Sequence, residues 1–221
     1  DETLKIIQEL YEKKLVTYPR TDARVLSTAV SKEIYKNIGG LRNFAPLADF
    51  AAKALDSGTW KQIAKTKYVN DKQITDHYAI IPTGQGMGAL KGLPNLSQRV
   101  YDVIVRRFLS IFYPPAVYQK VSIVTKIKEE SFFSSFKVLA EEGYLKVTGV
   151  PGRKNDNNDN TDSTEDKDTD AAFFARIQSL KKGMTLPVQS LDIKEGKTSP
   201  PKRYNSGSLI LAMENAGQLI E

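Results

Sequence analysis

A chain of 221 residues with 40% hydrophobic content can bury one large core or two smaller ones. It has no cysteine and one histidine, which excludes disulfides, thiolate metal sites and cysteine nucleophiles, and no apolar run in it approaches the ~18 residues of a membrane span. Net charge is +6, but residues 151–170 hold seven acids against three bases, so that stretch is −4 and the remainder is +10. A surface that basic favours polyanions through phosphate contacts and counterion release.

In chain order, Leu4, Ile7, Leu10 and Tyr11 recur at helical spacing and predict a helix over 1–13. The chain has no initiator Met and opens inside that pattern, as a piece excised from a longer protein would. Pro19 restrains Tyr18 toward an extended backbone, so Tyr18 is expected in the loop leaving the helix. A second helix is expected from Ser27 or Thr28 to Asn37, ended by Gly39-Gly40, and a short Ala-rich one over 46–56. Gly84-Gln85-Gly86-Met87-Gly88 lacks the Lys-Ser/Thr of a nucleotide loop and reads as a flexible linker. Leu96 to Phe112 is the clearest helix, with Ser97 as cap, Val100, Ile104, Phe108 and Ile111 on one face, and Pro114-Pro115 as its stop.

The period then changes. Strands are expected over 117–127, 132–138 and 144–147, and again over 173–177 and 184–193. The Asn/Asp/Thr-rich stretch 151–170 reads as a disordered loop between strands. A last helix is expected over 206–220, capped by Ser206 or Ser208. The fold class is thus multidomain α and β: a mainly helical, tyrosine-bearing domain over 1–114, then a mainly antiparallel β domain over 115–205, with 206–221 opening the next domain.

Leu15-Val16-Thr17-Tyr18-Pro19-Arg20-Thr21-Asp22 sets a phenol two residues from a guanidinium and four from a carboxylate. A phenol is a poor nucleophile at neutral pH and needs a cation or base beside it. In an extended segment, residues two apart face one side, so Tyr18 and Arg20 could address one phosphate while Asp22 orients Arg20. Tyr18 packed on Pro19 in an ordinary loop, with Arg20 paired to Asp22, fits the same residues. His77, with Asp76 to set its tautomer, could contact a phosphate or relay a proton, or simply face solvent.

Leu10-Tyr11-Glu12 followed by Leu15–Asp22 resembles the active-site signature of the type IA DNA topoisomerases, and Tyr18-Pro19-Arg20 is closest to their topoisomerase III branch. Thr75–Thr83 resembles the family's histidine segment. Lys197–Tyr204, with Ser208-Leu209-Ile210 and Met213–Gly217, resembles the passage from the β-rich arch back to the helical part. Ala23 and Tyr78 depart from the usual pattern, at positions where most members have Ser and many have His or Glu. The resemblance implies a toroidal enzyme in which Tyr18, Arg20 and His77 are catalytic, with Thr21, Asp22 and Asp76 supporting. It implies Mg²⁺ held by a Toprim domain outside this chain, no metal in this chain, and a fragment inactive by itself. Single-stranded DNA is the expected partner, in a cytoplasmic, nucleoid-associated setting and with no membrane. The basic charge adds Arg99, Arg106, Arg107, Lys202 and Arg203 as DNA contacts. The alternative is a non-enzymatic module that binds single-stranded nucleic acid.

Overall fold

A computed structural model describes residues 2–149, 175–177, 179–190, 192–193 and 195–216. The chain divides into two compact units, Asp1–Ser179 and Leu180–Glu221. The expected loop over 151–170 lies outside the described residues.

The first unit opens with helix α1 (Glu2–Glu12), α2 (Thr28–Gly40) and α3 (Ala48–Asp56), the last two joined by short 3-10 turns. Ser27 caps α2 by accepting from the Val30 amide at 3.2 Å. Asp71 clamps the same end, accepting from the Thr28 amide at 2.8 Å and from its hydroxyl at 2.5 Å. Those two bonds hold the Asp71 carboxyl below the usual carboxylate range. Gly39 and Gly40 do not end α2 but form its last turn. After a one-turn helix α4 (Met87–Leu90) comes the long helix α5 (Asn95–Ser110).

Helix α5 is rotated and displaced from the sequence expectation. Its buried stripe runs through Tyr101, Val105, Phe108 and Leu109, with Val100, Ile104 and Ile111 only partly buried on the flanks. Ser97 is no cap; it sits inside the helix, 2% exposed, and donates to Glu9 on α1 at 3.3 Å. Pro94 occupies the cap position, and the helix ends at Ser110, before the two prolines. Leu10, Leu15, Ile34, Ile38, Leu41, Tyr101, Val105 and Leu109 are each 0% exposed and centre the core of this unit. Burial raises the Tyr101 phenol well above its ordinary range.

Strands β1 (Val117–Ile127) and β2 (Glu130–Glu141) form an antiparallel ribbon, paired from Tyr118↔Leu139 to Ile127↔Glu130. The third expected strand is instead the helical turn α6 (Leu145–Thr148). Gly143, at φ 49°, turns the chain hard against Pro114 and Pro115, where a Cβ would come within 2.4 Å of a carbonyl oxygen. One helical turn then buries both Leu145 and Val147, the pair whose two-residue spacing imitates a strand. Residues 175–177 are likewise helical rather than extended.

In the second unit, the described part of 184–193 forms no strand. Met184, Leu186, Val188 and Ile193 are all exposed, and among the described residues no strand pairs with this alternation. Helix α7 (Ser206–Glu214) is capped by Asn205, and Ser208 completes a capping box rather than acting as the cap.

Candidate active site around Tyr18

The site begins with how α1 ends. The Lys14 amide donates to Tyr11 O at 2.8 Å and the Leu15 amide to Leu10 O at 2.9 Å, a Schellman closure. Such a closure needs a left-handed residue, and Lys14 takes that place at φ 62°. Leu10 and Leu15 supply the apolar contact that accompanies it, both fully buried.

Past this turn, residues 15–17 run antiparallel to residues 81–83. The Thr17 amide donates to Ile81 O at 3.0 Å, and the Thr83 amide to Leu15 O at 3.0 Å. The Thr17 hydroxyl accepts from the Ile81 amide at 2.9 Å and donates to Ala79 O at 3.4 Å. Further on, the Ala79 amide donates to Val25 O at 2.9 Å. The tyrosine segment and the histidine segment, some sixty residues apart, are thereby sewn together before Tyr18 by Leu15 and Thr17 and after it by Val25.

That seam brings Tyr18 and His77 into contact, with ring centroids 4.4 Å apart and planes at 43°. Tyr11 also meets Tyr18, edge-on, with ring centroids 5.4 Å apart. Tyr18 is half-buried and His77 exposed, so the pair lies at the surface. Thr21 anchors the histidine, donating from its hydroxyl to His77 O at 2.8 Å. An open depression of about 530 Å³ adjoins Tyr18, lined also by Tyr11, Glu12, Lys14, Tyr78 and Gln85. Burial raises the Tyr78 phenol. Arg20, Asp22 and Asp76 are exposed, and among the described residues no ion pair joins Arg20 to Asp22.

The other basic residues separate by role. Arg99 and Arg107 are exposed on α5. Arg106 is bound into the fold: its Nε donates to Asp102 at 2.6 Å and its Nη1 to Val147 O at 2.9 Å, which satisfies a terminal carbonyl of α6. Arg106→Ala is therefore expected to cost about 1–3 kcal/mol in urea unfolding. An unchanged midpoint would overturn that role. Lys202 and Arg203 are exposed in the second unit. Among the described residues no cluster of three or more His, Asp or Glu side chains is placed to hold a metal ion.

A family model described as DNA topoisomerase matches residues 1–218. The chain belongs to the type IA DNA topoisomerases, in the topoisomerase III branch. It is 36% identical over its whole length to a DNA topoisomerase 3 of Bacillus licheniformis and 33% identical to one of Bacillus subtilis. A DNA topoisomerase 3 of Bacillus cereus is 33% identical over 219 residues. The chain spans 28% of the length of the first two relatives and 27% of the third.

For this topoisomerase chain, sequence reasoning singles out Tyr18, Thr21 and His77, which the fold brings together. It carries Tyr11, Glu12 and Tyr78 only as members of the matching segments, with no role of their own, and gives no place to Lys14 or Gln85. A usable signal exists for Lys14, because Leu10 and Leu15 are spaced as the apolar pair of a Schellman turn, and no glycine stands between them. Gln85 carries no such signal. Its place depends on Gly84 and Gly86, both left-handed and packed against Asn37 and Lys13 carbonyls, a seated turn rather than a free linker.

Proposed function

We propose that residues 1–114 are the tyrosine-bearing domain, and 115–205 most of the arch domain, of a toroidal type IA topoisomerase, with 206–221 leading into the next domain. The Tyr18 oxygen attacks a backbone phosphorus of single-stranded DNA. A P–O(Tyr) bond forms as the P–O3′ bond breaks, and the phenolic proton ends on the departing 3′-oxygen. The 3′-hydroxyl later reverses the step after another strand has passed. One phosphoester replaces another, so no ATP is consumed. Arg20 steadies the phosphate charge, with Asp22 beside it, and His77 contacts the phosphate or carries the proton, with Asp76 beside it. The supporting observation is the 4.4 Å contact between Tyr18 and His77 at the surface.

Mg²⁺ belongs, in this reading, to a Toprim domain outside the chain, and the chain alone is inactive. Among the described residues no helix is long and apolar enough to cross a membrane, and a cytoplasmic, nucleoid-associated setting is part of the proposal.

The polarity of the link supplies the test. With the full-length protein, an oligonucleotide labelled at its 3′ end leaves its label covalently on the protein, and one labelled at its 5′ end releases it. The reverse pattern would overturn the 5′-phosphotyrosine assignment. Salt-sensitive binding with no covalent product would favour the non-enzymatic module.

Thr21→Val removes the hydroxyl that anchors the His77 carbonyl. Covalent capture is expected to slow about ten- to a hundredfold, since misplacement of a catalytic group by about 1 Å costs that much. Capture at the unaltered rate would remove Thr21 from the site.

A further inference from the structure

The β1–β2 ribbon has two unlike faces. On one, Val121, Ile123, Ile127, Phe136 and Val138 are half-buried. The other carries Tyr118, Lys120, Val124 and Lys126 from β1, paired in register with Leu139, Lys137, Phe133 and Ser131 from β2. No carboxylate lies on that second face between Tyr118 and Lys126 or between Ser131 and Leu139. Its three lysines are exposed, and Phe133 is 80% exposed.

Two features of this face oppose stability. Lys120 and Lys137 are direct cross-strand partners, and like charges placed opposite each other are destabilising. A phenyl ring 80% exposed gains little from burial. Lysines that merely guard a sheet against edge pairing need not face each other across the ribbon. Both features become favourable if an anion lies over the lysines and a flat ring lies on Phe133. The Lys137 ammonium already sits 4.0 Å from the Tyr118 ring centroid, so one aromatic is engaged by a cation and the other is open. Lys120 and Lys126 are six residues apart on one strand, about 20 Å at the usual rise, enough to follow several nucleotides.

We infer that this face of the ribbon binds single-stranded nucleic acid, with Lys120, Lys126 and Lys137 on phosphates and Phe133 stacked on a base. The site needs no chemistry from Tyr18 and goes beyond the strand-cleavage reading.

The test uses the full-length protein in a Tyr18→Phe background, so that only reversible binding of a labelled oligothymidine is read by anisotropy across a salt series. The combined Lys120→Gln, Lys126→Gln and Lys137→Gln variant is expected to lose about tenfold in affinity at low salt. Its slope of log affinity against log salt is expected to be shallower by about 2, from three lost phosphate contacts. Phe133→Ala should weaken binding about fivefold with the salt slope unchanged. If the triple variant keeps both affinity and slope, the inference is wrong. It is equally wrong if the lysines only shift the unfolding midpoint, which would mean that another part of the protein covers this face. Covalent capture by protein with an intact Tyr18 is a separate readout, so failure of the ribbon site and failure of the cleavage reading are distinguishable.

Discussion

Tyr18→Phe in the full-length protein is expected to reduce covalent capture of 3′-labelled DNA to background while reversible DNA binding persists. The substitution removes one oxygen and keeps the ring. The ring is what packs against His77 and Tyr11, so the local structure should survive. What is lost is the only atom of that side chain able to form a phosphoester. The chain has no cysteine to substitute for it. The threonines beside the site are already committed: the Thr17 and Thr21 hydroxyls both hold the seam to the histidine segment. Loss of capture together with loss of the fold, read by urea unfolding, would point to a packing role instead. Retained capture would sink the assignment of Tyr18 as the nucleophile.

Gly40→Ala is expected to destabilise the chain by about 3 kcal/mol, near the upper end for overpacking. A Cβ at Gly40 would sit 2.1 Å from the Gly84 carbonyl oxygen and 2.6 Å from the Gly84 Cα. The obstacle is backbone, so no side-chain rotation relieves it. Nor can the Gly84 turn retreat freely, because Asn37 donates to Pro82 O at 2.9 Å and Thr83 is bonded to both Lys14 and Leu15 carbonyls. Gly84 itself is left-handed, and a Cβ there would fall 2.7 Å from the Asn37 carbonyl oxygen. Any shift forced at Gly40 therefore passes to residues 81–85, which pair with the tyrosine segment and line the depression beside Tyr18. Covalent capture by the full-length protein should fall along with stability. Gly39→Ala is the matched control. A Cβ there meets nothing within 4 Å, and exchanging glycine for alanine in a helix favours folding by about 0.5–1 kcal/mol. Equal effects of the two substitutions would show that the close contact at Gly40 does not matter.

Much of the helical unit is legible in the order of its residues. Apolar spacing locates α1 and α5, because a helix that buries one stripe leaves its period in the residues, while end signals locate α2 and Ala-rich composition locates α3. The start of α2 is legible to within one residue, at Ser27 or Thr28, for a local reason, since the cap's partner Val30 is only three residues from Ser27. The β region is less legible. A two-residue alternation is shared by a strand and by a single buried helical turn, and at Leu145–Thr148 the tight Gly143 turn against Pro114 and Pro115 selects the helical turn. At 184–193 the alternation exists, but a strand also requires a partner for its amides and carbonyls, which no local pattern supplies. Ser97 misleads for the converse reason. It reads as a cap by type, yet its partner Glu9 comes from a helix 88 residues away.

The residues by themselves determine the chemistry at issue. One phenol beside a guanidinium, one histidine and no thiol leave few nucleophiles, and the order of three motifs places the chain in the topoisomerase family whose model matches residues 1–218. Only the tertiary structure decides which of those groups meet. Tyr18 touches His77 because the Thr17 and Thr21 hydroxyls bond across some sixty residues of chain to a segment that also pairs with Leu15 and Val25. Arg106, chemically like Arg99 and Arg107, becomes a strut because Asp102 and the Val147 carbonyl lie within its reach. Side-chain type sets what a residue can do, and long-range hydrogen bonding and packing set which partner it does it with.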